Sequence, residues 1–258
     1  MLNPAIVFIT FLFGLCIGSF LNVCIYRLPA SKTITDPPRS ICPSCNRQIR
    51  YYDNIPILSY LWLKGRCRHC GTRIPFRYVV VELMTGIVAV GILFHFGLTL
   101  EGLIYFVFIS SLIVMTFIDI DHRIIPDVIT LPGILIGLIA SFGLPTMGFK
   151  DALIGMLVGG GSLWVVAWVY YLLTRKDGMG GGDIKLLAMM GTIVGLKGVI
   201  FTIFISSAVG TLVGVTLMII KGKNMKFAVP FGPFLSIGAI TYIFFGHEII
   251  RAYFNLLV

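Results

Sequence analysis

Eight apolar runs constrain this chain more than any other feature. They lie at about residues 5–26, 79–97, 101–119, 128–145, 152–174, 183–196, 198–220 and 229–250. A helix crossing about 30 Å of hydrocarbon needs roughly 20 apolar residues, and most of these runs supply that length. The sixth is the shortest, and its Gly195-Leu196-Lys197-Gly198 turn reads as lying partly within the membrane. Only 12% of the residues are charged, against about 25% in soluble domains. The expected fold is an all-α polytopic membrane protein with about eight transmembrane helices. The first run has no charged segment ahead of it and no small-residue cleavage site leading into a soluble domain. It reads as a retained helix rather than a removed signal. No internal repeat or low-complexity segment is evident.

The net charge of +9 informs orientation before it informs partners, and it is not read as a sign of nucleic acid. Between residues 27 and 78 stand Arg27, Lys32, Arg39, Arg47, Arg50, Lys64, Arg66, Arg68, Arg73 and Arg77, against Asp36 and Asp53. Basic loops stay cytoplasmic. Eight crossings then place both termini outside. Arg123, Arg175, Lys176, Lys185, Lys221, Lys223 and Lys226 also fall inside, and Lys150, Lys197 and Arg251 fall outside. The third run therefore reaches the cytoplasm at Asp119, and the sixth leaves it at Asp183. The two acids are expected to share a face and a depth.

Asp183 follows a glycine run, Gly178-Met179-Gly180-Gly181-Gly182, which reads as a place for a sharp bend and a close approach. An ionisable group at the edge of a membrane helix is a functional candidate by default. Three readings compete. The two acids are solvated helix ends, with Asp183 favouring a helix N-terminus. They form a proton relay in a transporter. Or they form an aspartyl protease dyad, since two carboxylates about 3 Å apart share one proton and activate water between them. Transporter acids usually lie near the midplane in repeated, broken helices, unlike these. Asp121 is expected to point elsewhere on its helix, and Asp127 reads as the cap of the fourth helix. A nucleotide loop is a poor match, because no strand–helix–strand unit surrounds the glycines.

Cys42-Pro43-Ser44-Cys45 and Cys67-Arg68-His69-Cys70 form two C-x-x-C knuckles with 21 residues between them. That spacing is close to a zinc ribbon's. A cytoplasmic loop disfavours disulfides, so structural zinc on Cys42, Cys45, Cys67 and Cys70 is expected. A closed four-thiolate shell leaves no open position for catalysis, and His69 reads as a solvent-facing loop residue. A zinc-ribbon interaction protein without catalysis is a further reading, but it leaves the glycine–acid motif unexplained. Cys16 and Cys24 read as buried small hydrophobes. Glu82 is either a favourable charge near a helix start or a polar group in a cytoplasmic-edge cleft, with Asn22 and Arg27 similar cases. Gly155 and Gly159 read as a close helix contact.

Together these motifs resemble the bacterial type IV prepilin peptidases, also called prepilin leader peptidase/N-methyltransferases, within the Gly-x-Gly-Asp aspartyl proteases. The resemblance runs over nearly the whole chain. It is carried by Gly18-Ser19-Phe20-Leu21-Asn22-Val23 to Tyr26-Arg27-Leu28-Pro29, both knuckles, Asp119 to Pro126-Asp127, Gly180-Gly181-Gly182-Asp183-Ile184-Lys185-Leu186, and Pro230-Phe231-Gly232-Pro233-Phe234. It implies an enzyme that cuts the basic leader from prepilins or pilin-like secretion proteins at the cytoplasmic face, with Asp119 and Asp183 catalytic. It also implies N-methylation of the new N-terminus from S-adenosylmethionine, at a site the residues do not locate. The partners implied are prepilin or pseudopilin substrates and the lipid bilayer. The expected setting is the bacterial cytoplasmic membrane. The domains expected are a first helix over 1–26, a zinc-binding loop over 27–78 and a peptidase domain over 79–258.

Overall fold

The computed structural model describes residues 3–35, 40–145, 147–176, 178–221 and 230–257. Arg39, Lys223, Lys226 and the expected start of the last run at 229 lie outside the described residues. Among the described residues every regular element is helical. In order these are α1 (Pro4–Arg27), α2 (Leu58–Trp62), α3 (Arg77–Phe96), α4 (Leu100–His122), α5 (Asp127–Ala140), α6 (Phe149–Thr174), α7 (Gly181–Lys221) and α8 (Gly232–Leu257), with short 3₁₀ turns at Tyr51–Asn54 and Ser141–Gly143.

Six of the described helices are long and apolar enough to cross a membrane: α1, α3, α4, α6, α7 and α8. α5 and its 3₁₀ extension make a shorter apolar segment, Asp127–Gly143. Helix α7 runs 41 residues, but its helical geometry breaks at Gly195, with φ 65° and ψ −173°. That conformation favours glycine. The sixth and seventh runs are thus two arms, and the turn expected at 195–198 begins on its glycine. Counting the arms separately, the chain has eight apolar helical segments among the described residues. Large apolar side chains such as Phe8, Ile9, Phe204 and Ile219 are exposed, as lipid contact requires.

The chain divides into two compact units, Met1–Val114 and Met115–Val258, with the boundary inside α4. In the first unit α1 meets α3 backbone to backbone. A Cβ at Gly14 would stand 2.7 Å from the Gly86 Cα, and one at Gly18 would stand 2.6 Å from the Glu82 Cα. This is the small-residue seam by which membrane helices pack without a hydrophobic driving force. Its Gly14-x-x-x-Gly18 spacing was not singled out from the sequence.

In the second unit, the seam expected from Gly155 and Gly159 is present. A Cβ on Gly155 would meet the Gly191 carbonyl oxygen at 2.3 Å, and one on Gly159 would meet that of Leu187 at 2.6 Å. α6 therefore lies against the first arm of α7. α5 lies on the same arm, where Gly137 faces Thr192 and Gly133 faces Met189. α8 packs on the second arm, with Gly238 against Thr202.

Candidate functional site

The first acid stands near the end of α4, in the second unit. Asp119 is 6% exposed, whereas Asp121 is exposed, so the two point differently, as a helix requires of residues two apart. α4 stops because Arg123 takes a left-handed conformation, φ 56°, and its N–H closes on the Asp119 carbonyl at 2.9 Å. The chain then turns, which brings Ile125 back toward the helix ends.

Helix α8 begins at this point. The Gly232 N–H belongs to its first turn, where no intrahelical acceptor exists. It donates to Asp119 Oδ2 at 3.0 Å. The positive end of the α8 dipole thus faces the Asp119 carboxylate, which favours negative charge there. A Cβ on Gly232 would stand 2.8 Å from the same oxygen, so only glycine leaves room for the carboxylate. The sequence places Gly232 in a motif but does not reveal this contact.

The second acid, Asp183, is half-buried in the first turn of α7, with its N–H on the Gly180 carbonyl at 3.2 Å. Ile125 lies between the surroundings of the two acids. A Cβ on Gly182 would meet Ile125 Cβ at 3.0 Å, and one on Gly232 would meet Ile125 Cδ1 at 3.5 Å. The structure therefore gathers the ends of α4, α7 and α8 around the two acids. None of Gly178, Gly180, Gly181 and Gly182 takes a positive φ. The run bends at Met179, and the glycines also give close approach, at Gly182 to Ile125 and at Gly178 to the Tyr170 ring.

Asp127 corrects an expectation. The N-cap of α5 is Pro126, and Asp127 is the first helical residue, without a capping hydrogen bond. Its carboxylate instead receives Lys185 Nζ at 2.8 Å on both oxygens.

In the first unit the two knuckles fold alike. The Cys42 N–H reaches the Arg47 carbonyl and the Asn46 N–H the Cys42 carbonyl; Cys67, Thr72 and Gly71 repeat the pattern. Asn46 and Gly71 both take positive φ. Each knuckle is closed by one antiparallel bridge, Ile41 with Gln48 and Arg66 with Arg73. This is a structural repeat in a chain whose sequence shows none. The Sγ atoms of Cys42, Cys45, Cys67 and Cys70 all lie within 4.8 Å of one another.

The Cys42–Cys70 pair is 3.7 Å apart. A tetrahedron with Zn–S arms of about 2.3 Å has edges of about 3.8 Å, so the donor set fits zinc. The hydroxyl and N–H of Thr72 hold the Cys70 thiol at about 6. Against its backbone bond to Arg47, Cys45 is pushed up to about 11 by desolvation and by the thiols of Cys42 and Cys70. One thiolate forms easily and opposes the next, a conflict that a dication resolves.

Around the cluster, Arg68 forks onto Asp53 at 2.6–3.1 Å. That fork holds the Asp53 carboxyl below the usual carboxylate range. His69 is exposed, with Arg47 Nη1 3.4 Å from its Nδ1. Cys24 is buried as expected, but Cys16 is exposed. Asn22, Arg27 and Glu82 are buried. Asn22 Nδ2 donates to the Tyr78 carbonyl at 3.0 Å, Arg27 Nη1 to that of Ile34 at 2.7 Å, and Glu82 Oε2 accepts the Ile57 N–H at 2.8 Å.

Two family profiles match. "Bacterial Peptidase A24 N-terminal domain" covers residues 12–96, and "Type IV leader peptidase family" covers residues 106–215. The chain is 38% identical to a "Prepilin leader peptidase/N-methyltransferase" of Pseudomonas putida, over 95% of this chain and 92% of that one. It is 39% identical to one of Pseudomonas aeruginosa, over 96% and 93%. One of Neisseria gonorrhoeae is 38% identical, over 92% and 89%. No solved structure matches.

Proposed function

The chain belongs to the type IV leader peptidase family, and we propose that Asp119 and Asp183 are the dyad with which it cuts the leader from prepilins and pilin-like secretion proteins. The observation that carries this reading is the meeting of three helix ends at the two acids, with the first turn of α8 donating to one and the first turn of α7 holding the other.

One acid is protonated and the other ionised, because adjacent carboxylates share a proton. A water sits between them. The ionised acid takes a proton from this water as its oxygen attacks the scissile carbonyl. The neutral acid protonates the carbonyl oxygen. The tetrahedral intermediate then collapses, and the leaving amine departs with a proton from the dyad. The substrate is a membrane-inserted helix whose basic leader stays in the cytoplasm, so its scissile bond arrives at the depth of the acids. The setting is the bacterial inner membrane, with both termini outside.

The same chain then N-methylates the new N-terminus, as the name of its relatives indicates for them. S-adenosylmethionine, when bound, offers a methyl carbon on a sulfonium. Cys42, Cys45, Cys67 and Cys70 would hold a zinc in a structural role.

The test is cleavage of a prepilin by purified protein in detergent, read as the mass of the product N-terminus. Asp119→Asn and Asp183→Asn each abolish cleavage while the protein stays folded and zinc-bound. The double variant is no worse than either, because residues acting as a unit are non-additive. Asp121→Asn and Asp127→Asn retain measurable cleavage. Near-normal processing by either single dyad variant would refute the assignment.

A further inference from the structure

Helix α2, between the two knuckles, turns an apolar face outward. Leu58, Leu61 and Trp62 stand at i, i+3 and i+4, the spacing of one helix face, and they are 62%, 65% and 84% exposed. Ser59, Tyr60 and Leu63 on the other side are half-buried. Tryptophan is highly buried on average in soluble proteins, and an exposed apolar patch with a polar rim marks an interaction surface.

The place of α2 in the fold says what covers this face. The Tyr60 ring meets the Phe76 ring edge-on, with centroids 6.1 Å apart, and Phe76 is the N-cap of α3. The Gly65 carbonyl, just beyond α2, accepts the Ile74 N–H at 2.8 Å. The end of α2 is thus tied twice to the entry of α3. That helix has 20 residues and is apolar enough to cross a membrane. At about 1.5 Å per residue it spans about 30 Å, the thickness of the hydrocarbon, with no length to spare. Phe76 therefore stands at the hydrocarbon boundary, and α2 is held near that depth.

The rim of the patch is basic. Lys64, Arg66 and Arg73 are exposed. Asp53 is the one acid between residues 40 and 76, and Arg68 holds it. Tryptophan and tyrosine gather at membrane interfaces. A basic rim beside an apolar face is the composition of a segment that lies in the plane of an anionic bilayer. A prepilin would bring a basic leader to this face, and a second copy would bring the same basic rim, so like charges disfavour both as occupants.

We infer that α2 docks the metal loop on the membrane surface, with Leu58, Leu61 and Trp62 set among the acyl chains and Lys64 and Arg66 toward anionic headgroups. The loop is thereby fixed to the bilayer at three places, by α1, by α3 and by α2 between them. This docking is independent of which acids cut the substrate.

The tryptophans of the chain are Trp62, Trp164 and Trp168. The last two are exposed on α6, so phenylalanine there leaves no hole in the packing. In the full-length Trp164→Phe/Trp168→Phe protein Trp62 is the fluorescent reporter, and prepilin cleavage checks the fold. The protein is placed in lipid nanodiscs of phosphatidylethanolamine and phosphatidylglycerol, open to solvent on both faces. Phospholipids brominated high on their acyl chains are expected to quench Trp62, and acrylamide in the water to quench it at least about threefold less than free tryptophan, as for a side chain buried in the interface. Leu61→Glu puts a charge on the docking face and is expected to raise acrylamide quenching at least about twofold. Replacing phosphatidylglycerol with phosphatidylcholine is expected to raise it by a similar factor of about two, because each Lys or Arg near an anionic surface favours docking. Acrylamide quenching equal to that of free tryptophan, with none from brominated lipid, overturns the docking. Protection that appears only when prepilin is added assigns the face to the substrate and overturns it too. Unchanged quenching in Leu61→Glu overturns the role of this face, and quenching indifferent to phosphatidylglycerol overturns that of the basic rim.

Discussion

Adding one methyl group at Gly232 is the most direct probe of what supports the proposed dyad. The Gly232 N–H lies 3.0 Å from Asp119 Oδ2. A Cβ built there would stand 2.8 Å from that oxygen and 3.4 Å from Asp119 Cγ. Real Cβ atoms do not sit 2.8 Å from an oxygen, so in Gly232→Ala the carboxylate must swing away or the first turn of α8 must lift. Either movement lengthens the hydrogen bond. A hydrogen bond to a charged group contributes about 1.5–3 kcal/mol, which corresponds to about 10- to 160-fold in rate. The backbone itself is unstrained, since Gly232 has no positive φ, so the loss falls on the carboxylate.

The assay is single-turnover cleavage of prepilin at saturating enzyme. Two neighbouring substitutions calibrate it. Gly181→Ala adds a methyl group to the same acid-bearing run, where nothing lies within 4 Å, and should cleave within about twofold of wild type. Gly182→Ala meets Ile125 Cβ at 3.0 Å, a contact that a shift of a few tenths of an ångström relieves, and should fall between the two. Wild-type rates in Gly232→Ala, or a loss in Gly181→Ala as large as that in Gly232→Ala, would refute the reasoning.

Two predictions concern the metal loop. Metal analysis should find about one zinc per chain, and stripping it with a chelator should open residues 42–70 to protease; a loop that stays protected after complete zinc loss would refute the structural role of the metal. Asp53→Asn should speed zinc release to a chelator by about 1.5- to 5-fold, the modest scale of an ion pair at the surface, here with an exposed Arg68. Because Arg68 holds the folded Asp53 below its usual value of about 3.9, its contribution is complete above that pH and lost only as pH falls through the lower folded value; the factor should therefore be flat between about pH 6 and 8, and a slope there would contradict it.

The helices were legible because hydrocarbon demands length and apolarity, which a sequence displays openly. The cysteine cluster was legible because four thiolates and a tetrahedral ion demand a fixed spacing. The shared face of Asp119 and Asp183 was inferred from charge placement, and the gathering of α4, α7 and α8 at the two acids supports it. What stayed hidden were contacts between distant residues. Gly232 reaches Asp119 across 113 positions, and Lys185 reaches Asp127 across 58. Neither has a local signature. The glycines beside Asp183 suggest a hinge because glycine permits positive φ. Here the chain bends at Met179 without a positive φ at these glycines, and what the sequence does not show is the space they leave at Ile125 and Tyr170. The repeat of the knuckles is hidden because it is written in backbone hydrogen bonds, with Arg47 and Thr72 at equivalent places. The seam of α1 was missed although Gly14-x-x-x-Gly18 is plain in the sequence.

The electrostatics around the acids follow one logic. A dyad must share a single proton, and a full cation held against it would favour both acids ionised. Lys185 stands two residues after Asp183 and would be the nearest lysine in sequence to do so. Its ammonium instead rests between both oxygens of Asp127. Asp119 is met by a neutral N–H at the start of α8, where the helix presents roughly half a unit of positive charge. Asp183 sits in the first turn of α7, at the same kind of end. Helix N-termini thus favour negative charge at both acids through partial charges alone, and the repulsion between the carboxylates keeps one proton on the pair. On this account Asp127 belongs beside the proposed dyad as the partner of Lys185. The pairing also sets the behaviour of Asp127→Asn: cleavage persists, because both dyad acids remain, but it falls below wild type, because Lys185 loses its ionised partner.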